Sequence, residues 1–216
     1  MSFFDSPLGE QLRSSLDAGK PEDIAAAVVV VKGKVWSGTV EPDQVDEVLA
    51  ELQRQRQVQH VIDIADAATA VGSITTSGRR RYCQMLIESG ALHAGELACA
   101  ELLDLAEDAK ERGEALGLLG RIRKQRYVTS RRSEDLIGAI AAYQFAYAGG
   151  GEPLWHGINL LALTTRAHRD GILVPQPVDT DALTRTLLDE VRQTAPELQE
   201  IWDTDGKVLA KIQEDP

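Results

Sequence analysis

The most constraining feature of this chain is a pair of amphipathic helices that recurs at intervals of about 34 residues. The first pair opens at Pro42, a favoured first-turn residue. Val45, Val48, Leu49 and Leu52 then mark one helical face. Its second helix is predicted over Val58 to Ala70, with Val61, Ile62, Ala65 and Ala68 on one side and Gly72 closing it. The second pair opens at Thr76. Tyr82, Cys83, Leu86 and Ile87 face inward, Gly90 makes the turn, and a second helix is expected over Ala94 to Ala109. The third opens near Gly113 with Leu116, Leu119 and Gly120 in phase. Its partner shows Ala139, Tyr143 and Ala146 seven residues late, which predicts an insertion in the turn Val128–Asp135. The fourth pair is expected over Pro153–His168 and Thr180–Thr194. A break at Gly171 and Pro175–Pro177 separates them, and Asp179 stands as a helix cap.

Units of this kind cannot bury their apolar faces alone, so they stack. The fold class expected is all-α: a right-handed α-solenoid of about four helix–turn–helix units with terminal helices. The period and the alternation of large and small residues are those of the tetratricopeptide repeat. The units divide the chain into 42–75, 76–112, 113–152 and 153–195. Residues 1–41 form an N-terminal helical extension and 196–216 a C-terminal capping segment. A low aromatic content of 5% suits a chain packed by Ala and Leu rather than a β-sandwich.

The extension holds a short helix over Pro7–Ala18 and the run Ile24–Val31 (IAAAVVVV). That run is too short to span a bilayer and reads as a buried helix over 21–32, followed by a loop through Gly33, Gly38 and Thr39. The N-terminus lacks the basic start and apolar core of a secretory leader, and two cysteines make no disulfide framework. A cytoplasmic location is expected. In the cap, Leu198, Ile201, Trp202, Val208, Leu209 and Ile212 are apolar, with a kink expected at Asp205-Gly206.

Three segments carry a more specific likeness: GLLGRIRKQRY at 117–127, AIAAYQFAY at 139–147 and LWHGINLLAL at 154–163. In this order they resemble the TRAFs-binding domain of apoptosis signal-regulating kinases and related bacterial repeat proteins. The resemblance implies a helical-repeat scaffold that binds proteins or regulates an attached or neighbouring effector, with no catalytic residues. One departure is Arg123. The family carries an aromatic at this large position, so an arginine there would have to snorkel to the edge.

Chemical motifs are few. His60, His93, His156 and His168 are scattered, without the spacing of a metal site. The Asp203–Lys207 stretch lacks the EF-hand ligands, because Ile201 and Ile212 stand where acids are needed. No phosphate-binding glycine loop or nucleophile elbow has suitable flanks. Cys83 and Cys99 fall at core positions and read as small hydrophobes. No enzyme activity, metal or cofactor is expected.

Charge is more informative. The net charge is −11, yet residues 79–132 hold 11 basic and 8 acidic residues, so the acid lies towards the ends. In a tetratricopeptide array, fixed positions of each first helix line a groove. Here they include Arg54, Arg80, Gln84, Arg121, Lys124 and Gln125, with Asp43, Asp46 and Glu114 earlier in their helices. The reading is a basic groove that holds an acidic peptide or a C-terminal carboxylate of a protein partner. Trp155, His156 and Asn159 are secondary candidates. Their other role is packing, with Asn159 satisfying a backbone group. A pocket near these three residues would make a small-molecule sensor or an enzyme, and the basic stretch 121–132 would suit a nucleic-acid binder. The overall acidity opposes nucleic acid and anionic membranes.

Overall fold

The computed structural model describes residues 2–149 and 153–194. They form ten α-helices after a short 3-10 turn, and no strand occurs among them. The helices are α1 (Pro7–Ala18), α2 (Pro21–Trp36), α3 (Pro42–Arg54), α4 (Val58–Ala70), α5 (Thr76–Glu88), α6 (Leu92–Leu105), α7 (Ala109–Ser130), α8 (Ser133–Ala148), α9 (Pro153–Arg169) and α10 (Thr180–Thr194). The capping segment 196–216, with its expected kink, lies outside the described residues.

Local chemistry sets most boundaries. Proline opens α1, α2 and α3, where a missing N–H costs nothing. The side chains of Ser6, Thr75, Asp108 and Asp179 accept hydrogen bonds from the first-turn N–H groups of α1, α5, α7 and α10. Gly19 ends α1 in the left-handed region at φ 66°, and Gly72 follows α4 at φ 70°. The N-terminus is tied to α3, since Ser2 Oγ and Phe3 N–H both donate to Glu47 Oε2, at 2.6 and 2.8 Å.

Successive helices pack as hairpins: α1 with α2, α3 with α4, α5 with α6, α7 with α8 and α9 with α10. The first helices α3, α5 and α7 also touch in order, and α2 lies on α4. This is the tetratricopeptide-like stack that the periodicity predicts, with the N-terminal hairpin joined to its end. The core runs along the stack in three clusters. One spans α1 to α5, one surrounds Cys83, Cys99 and Ile122, and one surrounds Tyr143, Leu160 and Leu187. Stability is therefore distributed between neighbours.

Several expectations change. Gly33 lies inside α2, which continues to Trp36, so the loop begins only at Ser37. The helix read as buried is buried on one face alone. The helix expected over Ala94–Ala109 is Leu92–Leu105, and the next starts at Ala109 rather than Gly113. No inserted loop follows it. The extra residues lengthen α7 to 22 residues, and only Arg131 and Arg132 separate it from α8. Arg131 takes the left-handed conformation at φ 60° that makes this tight connection.

The large core positions of α7 also fall one residue earlier than expected, while Gly120 faces the core in the expected phase. Ala115, Leu118 and Ile122 are buried, whereas Leu116 and Leu119 are half-buried. The large core position falls on Ile122, so Arg123 need not snorkel out of a core. It runs across Gly138, whose missing side chain leaves the space. Glycines explain the rotation. Each helix-interior glycine costs about 1 kcal/mol relative to alanine, and α7 spends two of them on close packing. Gly117 admits the ring of His156, and Gly120 admits the ring of Tyr143.

Candidate functional site

The sequence places a groove on the first helices, and α5, α7 and α9 enclose a cavity of about 470 Å³ there. Its walls are Arg80 and Gln84 from α5, Glu114, Leu118 and Arg121 from α7, and Trp155 from α9. Three of the six expected groove residues meet here, together with the first of the secondary candidates. Lys124 stands one helical turn from Arg121 on the same helix. Arg54 does not join them. It is exposed at the end of α3 and pairs within its own helix with Glu51, which holds that carboxyl below its usual range. Gln125 does not line the cavity either.

The cations are already engaged by acids. Arg80 Nε lies 3.7 Å from Glu111 Oε2, and its Nη1 lies 3.8 Å from Glu114 Oε2. Arg121 Nη1 lies 3.6 Å from Glu88 Oε1. These separations exceed hydrogen-bond reach. Arg80 Nε is buried and makes no hydrogen bond among the described residues. The groove is thus a lattice of alternating charges rather than a simple basic strip, with donor capacity left in its walls. A layer of amides joins it to the neighbouring unit. Gln53 Nε2 donates to Gln84 Oε1 at 3.0 Å, and Gln84 Nε2 donates to Glu88 Oε1 at 3.2 Å.

Lys124 differs from the arginines. Its Nζ donates to the neutral Asn159 Oδ1 at 2.9 Å. Burial, and secondarily the charge of Arg121, push its pKa below the usual lysine value. Asn159 Nδ2 in turn donates to the Trp155 carbonyl at 3.0 Å, so this asparagine ties α7 to α9 and satisfies a backbone group. His156 is fully buried, with Nε2 3.9 Å from Glu114 Oε1. It forms the floor under Trp155, whose ring meets Tyr143 edge-on at 5.7 Å. Trp155 remains 41% exposed, and with Leu118 it gives the groove its apolar lining.

The basic stretch 121–132 does not form one face. Arg121 turns to Glu88, Arg123 covers Gly138, Lys124 meets Asn159 and Arg126 pairs with Glu96. Arg131 lies over the Tyr127 ring and Arg132 pairs with Glu134. Among the described residues no group of three or more His, Cys, Asp or Glu side chains could hold a metal ion, and no helix is long and apolar enough to cross a membrane.

Leu118, Glu88 and Glu111 were not read from the sequence as groove residues. The one-residue rotation of α7 hides Leu118. The two acids come into view only when neighbouring helices are placed side by side.

The family model described as Tetratricopeptide Repeats-Sensor matches residues 42–164, more than half of the chain. No curated protein and no solved structure matches the chain.

Proposed function

The chain belongs to the Tetratricopeptide Repeats-Sensor family, and from that premise we propose that the α5–α7–α9 groove captures an acidic, partly apolar segment of a protein partner. The array then serves as a non-enzymatic scaffold that regulates a partner effector enzyme. The regulatory half of this reading rests on the resemblance of residues 117–163 to the TRAFs-binding domain.

The observation that carries the recognition half is the state of Arg80 and Arg121. Both line one cavity, and both are held by ion pairs of 3.6–3.8 Å. An incoming carboxylate can accept two hydrogen bonds from a guanidinium, a stronger arrangement than these contacts. The local acids Glu88, Glu111 and Glu114 then set specificity, because they repel an acidic group placed out of register. Trp155 and Leu118 offer the apolar contact.

Calorimetry with the full chain tests this. An acidic peptide carrying one aromatic residue is compared with its amide counterpart at about 50 and 500 mM salt. Binding of the acidic peptide alone, weakened by salt and by Arg121→Ala, is the expected result. Equal binding of the two peptides, or none of either, rejects the reading.

The same cavity supports a second reading. Its volume falls within the range of small-molecule sites, so a small carboxylate could fill it in place of a peptide. Thermal-shift screening of small carboxylates separates the two. Stabilisation by such a compound without competition from the peptide favours the sensor.

A further inference from the structure

Helix α2 is apolar on two opposite faces. Ile24, Ala27, Val28, Val31 and Val35 are buried on the side that packs on α1 and α4. On the other side Ala26, Val29, Val30, Gly33 and Trp36 follow helical spacing, and all five are exposed. Val29 is 69% exposed, Val30 45% and Trp36 53%. β-branched residues are mediocre helix formers, so valines facing water contribute neither propensity nor burial. A helix apolar all round is the pattern of one covered on both sides.

Opposite charges flank the two ends of this outer face. Glu22 and Asp23 stand in the first turn and Lys34 in the last, and all three are exposed, with Lys34 on the edge that also borders a hollow beside Phe3 and Leu8. The small residues are placed symmetrically about the midpoint between Val29 and Val30, with Ala26 on one side and Gly33 on the other. A side chain added at Gly33 would meet nothing within 4 Å, so the approach of another backbone is open.

We propose that this face is the interface of a homodimer in which the α2 helices of two copies cross antiparallel about Val29 and Val30. Reversal of direction sets Ala26 against the partner's Gly33, and the same contact occurs twice by symmetry. It also sets the acidic first turn of each helix against the partner's Lys34. A parallel arrangement would oppose acid to acid. The charge pattern therefore selects a second copy in the antiparallel sense. Trp36 closes each end of the seam over the partner's first turn. A seam of 16 residues is about 24 Å long. That is small for a stable interface, so association is expected at micromolar concentration.

Sedimentation of the full chain from about 1 to 200 μM tests the proposal. The mass is expected to rise from 23.5 kDa towards twice that value. Gly33→Arg puts a charged side chain into the seam. It replaces glycine with a better helix former at an exposed position, so circular dichroism should be unchanged. The dimer dissociation constant should rise on the order of 100-fold. Asp23→Lys and Lys34→Asp should each weaken the dimer, and the two together should restore it. A chain that stays monomeric over the whole range overturns the proposal, as does a dimer that Gly33→Arg leaves intact. Neither result bears on the groove, which shares no residue with this face.

Discussion

The ring of Tyr143 on α8 occupies the space that a side chain would need at Gly120 on α7. A Cβ built on Gly120 would lie 2.7 Å from Tyr143 Cε2. The ring is fully buried and cannot move aside. Gly120→Ala gains about 1 kcal/mol of helix propensity but overpacks the contact by more. The expected net loss is about 2 kcal/mol, or roughly 4–8 °C in Tm for a chain of this size. A Tm that holds or rises would show that the two helices are not pressed together here.

Tyr143→Phe should have the opposite outcome. The Tyr143 hydroxyl is buried without a hydrogen-bond partner among the described residues, and burial drives its pKa well above the usual phenol value. Removing an unsatisfied buried group relieves its desolvation cost. Stability should be unchanged or raised by up to about 1 kcal/mol in urea titrations. A clear loss would reveal an acceptor for this hydroxyl.

Asp170 links stability to acid. The Tyr127 hydroxyl and then Arg166 donate to its carboxylate, and they hold its pKa below the ordinary aspartate value. A depressed folded pKa stabilises the native state above the unfolded pKa, near 4. That contribution disappears as pH falls through the lower folded value. Urea midpoints of the wild type and Asp170→Asn should differ at neutral pH and converge in acid below about pH 4. A gap that is independent of pH would mean that Asp170 acts by packing alone.

Cys83 and Cys99 are both fully buried across the α5–α6 hairpin. A hydrogen bond with Cys83, followed by burial, raises the Cys99 thiol pKa far above its usual value. The thiolate is the reactive form. An aromatic disulfide reagent at about pH 8 should leave Cys99 unmodified in the native chain and modify both cysteines after unfolding in guanidinium. Fast modification of folded protein would contradict a sealed pair.

Much of the array was readable from periodicity. The helices predicted over Val58–Ala70 and Thr180–Thr194 occur at those bounds, and Asp179 caps α10 as expected. Arg80, Gln84 and Arg121 share a cavity because repeat phase is a statement about helical faces, which local sequence encodes. The rotation of α7 was not readable. A row of glycines gives no apolar signal, and its meaning depends on which rings lie opposite. Counting charges along the chain likewise suggested a basic groove. The acids that engage Arg80 and Arg121 come from adjacent helices, more than 30 residues away in the chain.

Periodicity alone makes this chain a stack of helical hairpins and locates most of its turns, and repeat phase puts Arg80, Gln84 and Arg121 on one side, although Arg54 and Gln125, read the same way, do not line the cavity. Tertiary packing decided the rest: the register of α7, the pairing of the groove arginines with Glu88, Glu111 and Glu114, and the open outer face of α2. The division has a physical cause. Helix formation and amphipathicity are set by residues within a few turns of one another. A glycine's missing side chain, an arginine's counter-ion and the cover on an apolar face are each supplied by another helix.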